Sequence, residues 1–251
     1  MDTDRSVHPY YPPSARIPGY VADERYVVAA LPIFGGMVGA VAVGAYILAA
    51  RSPFRLGPWD RFAAAWFALC GFLHVAFEGY YIFHRSEIAG MDTLFAQLWK
   101  EYSLSDSRYL TSDVFTVCVE TITVFAWGPL SWLTTLAIIS NMTTRHVLQT
   151  IVCTAHLYGV ALYYATNWTE LHFHGVSYSR PEFLYFWIYY VGFNLPWAIV
   201  PLGTCTIHRL ADYSRSAPLT FFSQGLIYDS FRQVGRAFAT LREVDKAAKA
   251  R

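Results

Sequence analysis

The sequence predicts an all-α membrane protein, a bundle of five transmembrane helices followed by an amphipathic C-terminal tail. Three observations predict it. Of 251 residues, 55% are hydrophobic and 15% charged, whereas a soluble domain carries roughly 25% charged residues. The chain therefore lacks the polar surface to cover a water-exposed globule. Five stretches reach or approach the ~20 mostly apolar residues that cross a hydrocarbon core of roughly 30 Å. Charged residues stand at their edges as natural stops, and an aromatic content of 18% suits both membrane interfaces and an apolar ligand chamber. A net charge of +1 gives no case for nucleic acid or acidic partners.

Taken in order, the N-terminal segment carries Pro9, Pro12, Pro13 and Pro18 and lacks the basic-then-apolar pattern of a signal peptide, so insertion is expected to rely on the spans themselves. The spans are expected at about residues 26–50, 62–83, 114–139, 147–165 and 183–207. Arg51, Arg61, His84, Arg85, Asp113, Arg145 and Glu182 bound them. Five spans put the termini on opposite sides. Most of the 19 Lys and Arg residues fall on the C-terminal side, which sets the C-terminus in the cytosol and the N-terminus outside or in a lumen. Residues 209–251 form the tail, where Phe231, Val234, Phe238 and Leu241 recur among Arg and Lys at the spacing of a basic amphipathic helix, either lying on the cytosolic leaflet or packed. The whole chain reads as one domain without repeats. Cys70, Cys118, Cys153 and Cys205 fall in apolar runs without a CxxC pair, so they read as small buried hydrophobes and imply neither a disulfide framework nor a zinc site. Neither N-x-T sequon, at Asn141 or Asn167, is expected to carry glycan.

Ionisable groups inside spans are rare and are functional-site hypotheses by default. The second span carries His74 and Glu78, four apart on one helical face; the third carries Glu120 and Thr123, three apart. The fourth carries His156, Tyr158, Tyr163 and Tyr164. In the fifth, Asn194 and Trp197 flank Pro196, which kinks a helix and frees a carbonyl. At 1.5 Å per residue, Glu78 and Glu120 both lie roughly 10 Å below the N-terminal surface and His74 and Thr123 roughly 15 Å. Asn194 and Trp197 follow at about 18 to 22 Å. Separate helices thus bring polar groups to adjoining layers. An acid in low dielectric resists ionisation, which suits proton transfer near neutral pH, and a Trp face stabilises a cation. Together they point to proton chemistry on a hydrophobic substrate that passes through a cation. Motifs for other chemistries are missing: the sequence has no GxSxG, HExxH or phosphate-binding glycine loop. His172 and His174, expected in the loop after the fourth span, offer two metal-type ligands without an obvious third, and single histidines on two spans as haem ligands would leave the paired acids unexplained.

Several separate motifs, in order, resemble the emopamil-binding protein family, the sterol Δ8–Δ7 isomerases. They are His8-Pro9-Tyr10, the run from Cys70 to Gly79 (CGFLHVAFEG), Leu98 to Tyr102 (LWKEY) with Asp106 to Tyr109 (DSRY), and Phe115 to Thr123 (FTVCVETIT) with Trp127 to Leu130 (WGPL). Tyr158-Gly159, Tyr185 to Trp187 (YFW), Asn194 and Trp197 complete the set. Residues 98–130 are the most specific run. The sequence departs at Val160, where family members carry an acidic residue. The resemblance implies a five-helix enzyme of the endoplasmic reticulum membrane, often dimeric, with lumenal N-terminus and cytosolic C-terminus. It shifts a sterol ring double bond from Δ8 to Δ7, binds cationic amphiphilic ligands as carbocation mimics, and needs no cofactor or metal. By motif, the functional positions are His74, Glu78, Glu120, Thr123, Asn194 and Trp197. Tyr102, Asp106, Arg108 and Tyr109 match in a loop that reads as a lumenal lid contacting the sterol, with Asp106 and Arg108 chiefly structural.

The expected mechanism protonates C9 of a Δ8-sterol, forms a C8 cation and removes a C7 proton. Donor and acceptor come from His74, Glu78 and Glu120; Trp197 and an ionised carboxylate stabilise the cation, and Asn194 and Thr123 orient the acids or a water. The alternative from another class is a non-catalytic sterol or cationic-drug binder resembling the sigma-2 receptor branch of the same superfamily.

Overall fold

The computed structural model describes residues 8–23, 27–202 and 226–249. Helix α1, Val27–Ala50, has a backbone without charge and an outward face of Val28, Ile33, Val43 and Leu48 left exposed, which is the surface a helix presents to lipid rather than water. Arg55 turns the chain in the left-handed region at φ 52°. Helix α2, Pro58–His84, follows. It starts with Pro58 in the first turn, where a missing N–H costs nothing, and Asp60 accepts from the Gly57 amide at 3.1 Å.

The segment that connects α2 to the next span is labelled the lid. It contains a short turn at Ile88–Gly90, helix α3 at Leu94–Tyr102, and a second turn at Ser107–Tyr109. Helix α4, Val114–Ile139, begins at Asp113, whose carboxylate accepts from the Thr116 amide at 3.1 Å. Helix α5, Arg145–His174, ends where Gly175 takes φ 66° and donates its amide to the Leu171 carbonyl at 3.1 Å. Helix α6 comes in two pieces, a π-helical Leu184–Gly192 and an α-helical Pro196–Leu202. Helix α7 is Leu226–Lys249.

Among the described residues, α1 (from Val28), α2, α4 and α5 are long and apolar enough to cross a membrane. The predicted span at 114–139 matches α4. The second span begins four residues earlier than expected, because Pro58 rather than the first apolar residue starts the helix. The fourth corrects more: α5 runs on past 165 through Thr166, Asn167, Thr169 and Glu170 to His174. That last stretch is helical but polar, so hydropathy could not reveal it. His172 and His174 therefore lie on the last turn of a helix and not in a loop, and His174 Nδ1 sits 2.8 Å from a Glu170 oxygen. Residue 26 of the predicted first span, 203–207 of the fifth and 209–225 and 250–251 of the tail lie outside the described residues, as does Cys205.

Helix α2 is the hub. It packs on α1 and α4; α4 packs on α5, α5 on α6, and α7 on both α5 and α6. With no water to expel, helices in lipid associate through close packing of small residues, and α2 supplies fully buried Ala63, Ala64, Ala68, Cys70 and Gly71. Two glycines set the α2–α4 distance. A Cβ on Gly71 would meet the Trp132 ring at 2.8 Å, and one on Gly128 would meet Val75 Cγ2 at 2.7 Å and His74 Cβ at 3.1 Å.

The lid is stitched from three distant pieces of chain. The N-terminal arm, residues 8–23, lays Tyr10 and Ile17 into its core; the Val21 amide bonds the Ala89 carbonyl at 3.0 Å, and the buried ammonium of Lys100 bonds the Val21 carbonyl and pairs with Asp23. From the other end of the chain, the Ser107 amide donates to the Tyr178 carbonyl and the Arg180 amide to the Leu104 carbonyl, at 3.1 and 3.0 Å. Tyr81, Trp99, Tyr109, Tyr163 and Tyr190 fill the space between lid and spans.

Candidate functional site

Among the described residues three helices depart from α-helical geometry, two of them at candidate residues and the third just before Asn194. The π-helical turns are Leu73–Glu78 in α2, Thr123–Trp127 in α4 and Leu184–Gly192 in α6. π turns carry i→i+5 bonds and gather at functional sites. Proline accounts for two of them. Pro129 lacks the N–H that would bond the Phe125 carbonyl, and Pro196 the one that would bond Gly192, so the preceding turns widen. The α2 and α4 π turns pack directly on each other.

On the α2 turn, His74 Nδ1 lies 2.9 Å from both Glu78 oxygens. Glu120 stands on α4, the helix that packs against this turn. The Tyr109 hydroxyl, reaching up from the lid turn, donates to Glu120 Oε1 at 2.8 Å. Burial and the neighbouring Glu120 charge push the Tyr109 phenol well up, so it remains a donor across the neutral range. The Trp197 ring stands 6.4 Å from the His74 ring and 5.6 Å from Trp66. The structure thus unites His74, Glu78, Glu120, Tyr109 and Trp197 in one contiguous group.

Asn194 and Tyr102 form a second group beside it. The Asn194 amide donates to the Tyr102 hydroxyl at 2.9 Å and to the Tyr190 carbonyl at 2.8 Å, and the Tyr102 hydroxyl lies 3.4 Å from that of Tyr163. Burial raises the Tyr102 phenol as well. Thr123 opens the α4 π turn, but its hydroxyl donates to the Val119 carbonyl of its own helix at 2.9 Å.

Asp106 and Arg108 stand apart from these groups. Their side chains, fully or almost fully buried, pair through Nε at 2.9 and 3.1 Å and Nη2 at 2.6 Å, and Arg108 also donates to Thr166 Oγ1 at 3.0 Å. The guanidinium is stacked among Phe115, Tyr163 and Tyr178. Burial works against the Arg108 charge, and the Asp106 carboxylate outweighs it, so the guanidinium stays ionised. The pair joins the lid turn to α5, and Arg108 borders an open cavity of about 320 Å³ shared with Asp113, Thr169 and Glu170.

Sequence reasoning noted His156 in the fourth span without joining it to the site. Its Nε2 lies 3.0 Å from His74 Nε2, and its ring is 5.2 Å from that of His74. Cys70, one turn before His74, brings its sulfur to the same place: the ligating atoms of Cys70, His74 and His156 all lie within 4.8 Å of one another. The signal was present, since His156 is the one histidine deep in the fourth span, but no spacing rule links residues on helices 82 positions apart.

A family model described as EXPERA (EXPanded EBP superfamily) matches residues 94–206. The chain is 35% identical to a 3-beta-hydroxysteroid-Delta(8),Delta(7)-isomerase of Cavia porcellus over 78% of its length and 84% of that protein. It is 36% identical, with the same coverage, to proteins of that name from Rattus norvegicus and Mus musculus.

Proposed function

The chain belongs to the EBP family of the expanded EBP superfamily, and from that membership we propose that its buried acid–histidine group moves a sterol ring double bond. It is a sterol Δ8,Δ7-isomerase of sterol biosynthesis, a membrane enzyme that transposes a C=C bond. The observation that carries the chemistry is the placing of two carboxyls on packed helices, Glu78 paired with His74 and Glu120 with Tyr109.

Carboxyls and an imidazole gathered in one apolar site can pass a proton among themselves. In the proposed mechanism that proton, carried by Glu78, Glu120 or His74, adds to C9 of the Δ8-sterol. The π electrons of the C8=C9 bond form the new C–H bond and leave the positive charge on C8. A base of the same group then removes a C7 proton, and the C7–H electrons become the C7=C8 double bond. The charge that accumulates at C8 is met by an ionised carboxylate and by the face of Trp197. Because donor and acceptor belong to one hydrogen-bonded group, the proton returns within the protein and no cofactor is consumed. Asn194 and Tyr102 hold each other at the edge of the site, and Thr123 shapes the α4 turn beside Glu120.

The finer reading follows from the same membership. Helix α6 belongs to a fifth span. The lid faces the lumen of the endoplasmic reticulum and the tail the cytosol, in keeping with the Lys and Arg bias toward the C-terminal side. Cationic amphiphiles bind as mimics of the C8 cation, and the chain pairs into a homodimer.

The test is purified protein with a Δ8-sterol in deuterated water. Deuterium at C9 of the Δ7 product is expected, and product without it removes the protonation step. Glu78→Gln and Glu120→Gln should each lower turnover by about 10²-fold or more, the lower range of acid–base catalysis.

A further inference from the structure

We propose that Cys70, His74 and His156 form a binding site for a soft divalent metal ion of the Zn²⁺ type, and that metal occupation and sterol isomerisation exclude one another. The site itself stands on geometry alone; the exclusion rests on the isomerase reading above.

Three side chains with metal-binding atoms converge in a buried place. Cys70 and His74 are four apart on α2 and so share a face, while His156 enters from α5. All three are buried, and their ligand atoms lie within 4.8 Å of one another. His74 uses Nδ1 on Glu78, which leaves Nε2 for another partner, and that nitrogen faces His156 Nε2 at 3.0 Å.

Hydrogen bonding between the two imidazoles accounts for this meeting only in part. Two nitrogens can share one proton. That one shared proton gives no role to the Cys70 sulfur that meets the same two rings. The proposed isomerisation also makes no use of Cys70 or His156. A convergence of thiol and imidazoles without a task in the reaction calls for a ligand of its own.

A tetrahedral ion fits the spacing. Zn–N bonds of roughly 2.0–2.1 Å and a Zn–S bond of about 2.3 Å set N···N at about 3.3 Å and N···S at about 3.6 Å. The two histidine nitrogens are already close to that separation, and the sulfur reaches it by a shift on the order of 1 Å. Three protein ligands leave a fourth position open. The Glu78–His74 hydrogen bond then supplies the carboxylate–imidazole–metal arrangement that orients a ligating histidine and raises its basicity. Charge is balanced too: a Cys70 thiolate and the Glu78 carboxylate together neutralise a divalent ion, which a dry site requires. Sulfur with two imidazoles selects Zn²⁺, Co²⁺ or Cd²⁺ over Mg²⁺ and Ca²⁺.

An ion bound there takes the Nε2 lone pair of His74 and fixes Glu78 against its other nitrogen. Neither group can then carry a proton to or from the sterol. Zn²⁺ is therefore an inhibitor that acts inside the catalytic group, and a chelator restores turnover.

The test titrates Co²⁺ into the purified full chain and follows thiolate-to-cobalt charge-transfer absorption, with Zn²⁺ as competitor. One Co²⁺ per chain, a charge-transfer band and its displacement by Zn²⁺ are expected. Cys70→Ser should abolish the band, His156→Gln should weaken Co²⁺ binding by about 10-fold or more, and Cys153→Ser should leave both intact. In the isomerase assay, Cys70→Ser should keep its metal-free turnover and need about 10-fold or more Zn²⁺ for half-inhibition. A wild-type chain without the band, or a band that survives Cys70→Ser, overturns the site. Metal binding in a chain that turns over equally with Zn²⁺ overturns the exclusion. Metal binding in a chain with no turnover under any condition overturns the isomerase reading and leaves the site standing.

Discussion

Glu120 depends on Tyr109 for its position, because the phenol is its donor from the lid. Removing that hydroxyl leaves the Glu120 carboxyl in place but without its donor. A hydrogen bond to a charged group is worth roughly 1.5–3 kcal/mol, so Tyr109→Phe should reduce kcat by about 10- to 100-fold with a smaller change in KM, measured on the Δ8-sterol. Asp106 behaves differently. It is fully buried and its partner is Arg108, so Asp106→Asn strands a guanidinium in the lid core. Loss of one member of a buried pair costs about 3–5 kcal/mol; thermal unfolding in detergent should show a large fall in stability, with sterol turnover per folded molecule largely kept. At this scale the sequence was informative where depth counting applied. His74, Glu78 and Glu120 could be placed together from distances along their own helices. The Asn194–Tyr102 bond and the His74–His156 contact could not, because each joins residues whose separation along the chain fixes nothing about their separation in space.

The helices were legible for the same reason that hydropathy is: lipid demands a continuous apolar surface and internally bonded backbone. Their ends were less so. The last turns of α5 are polar and stand clear of the apolar stretch that marks a span, and α2 takes its start from a proline. The π turns were invisible apart from the Pro196 kink, since an i→i+5 bond has no compositional signature. Their consequence is testable at Gly128, which lies just beyond the α4 turn where α2 comes closest. A valine there would overlap Val75 and press on the His74 Cβ. Overpacking of that kind costs about 1–3 kcal/mol. Gly128→Val should therefore lose both thermal stability and turnover, whereas Gly159→Ala, on open helix surface, should change neither.

For the whole molecule, apolar exposure divides the surface. Val28, Leu48, Phe125, Leu133 and Leu136 cover the sides of the bundle, while the lid end carries Asp, Arg and Ser bonded inward. Helix α7 begins against the bundle, with Ser230 Oγ 3.4 Å from Gln149 Oε1, and then leaves Phe231, Phe238 and Leu241 exposed beside Arg232, Arg236 and Arg242. The sequence pattern left open whether this helix packs or lies on a leaflet, and its first turn packs. On the proposed topology, tags placed at the two termini of the protein in sealed microsomes should be protected at the N-terminus and accessible at the C-terminus; the reverse result would invert the lid to the cytosol.

The lid also imposes a timetable on biosynthesis. Its arm, residues 8–23, leaves the ribosome first, yet Ser107 and Leu104 bond backbone at Tyr178 and Arg180. At roughly 5–20 residues per second, those two lid residues wait on the order of five to fifteen seconds for their late partners. Throughout that interval Asp106, Arg108 and Lys100 have no enclosed core to occupy, and the nascent chain is most exposed to membrane quality control.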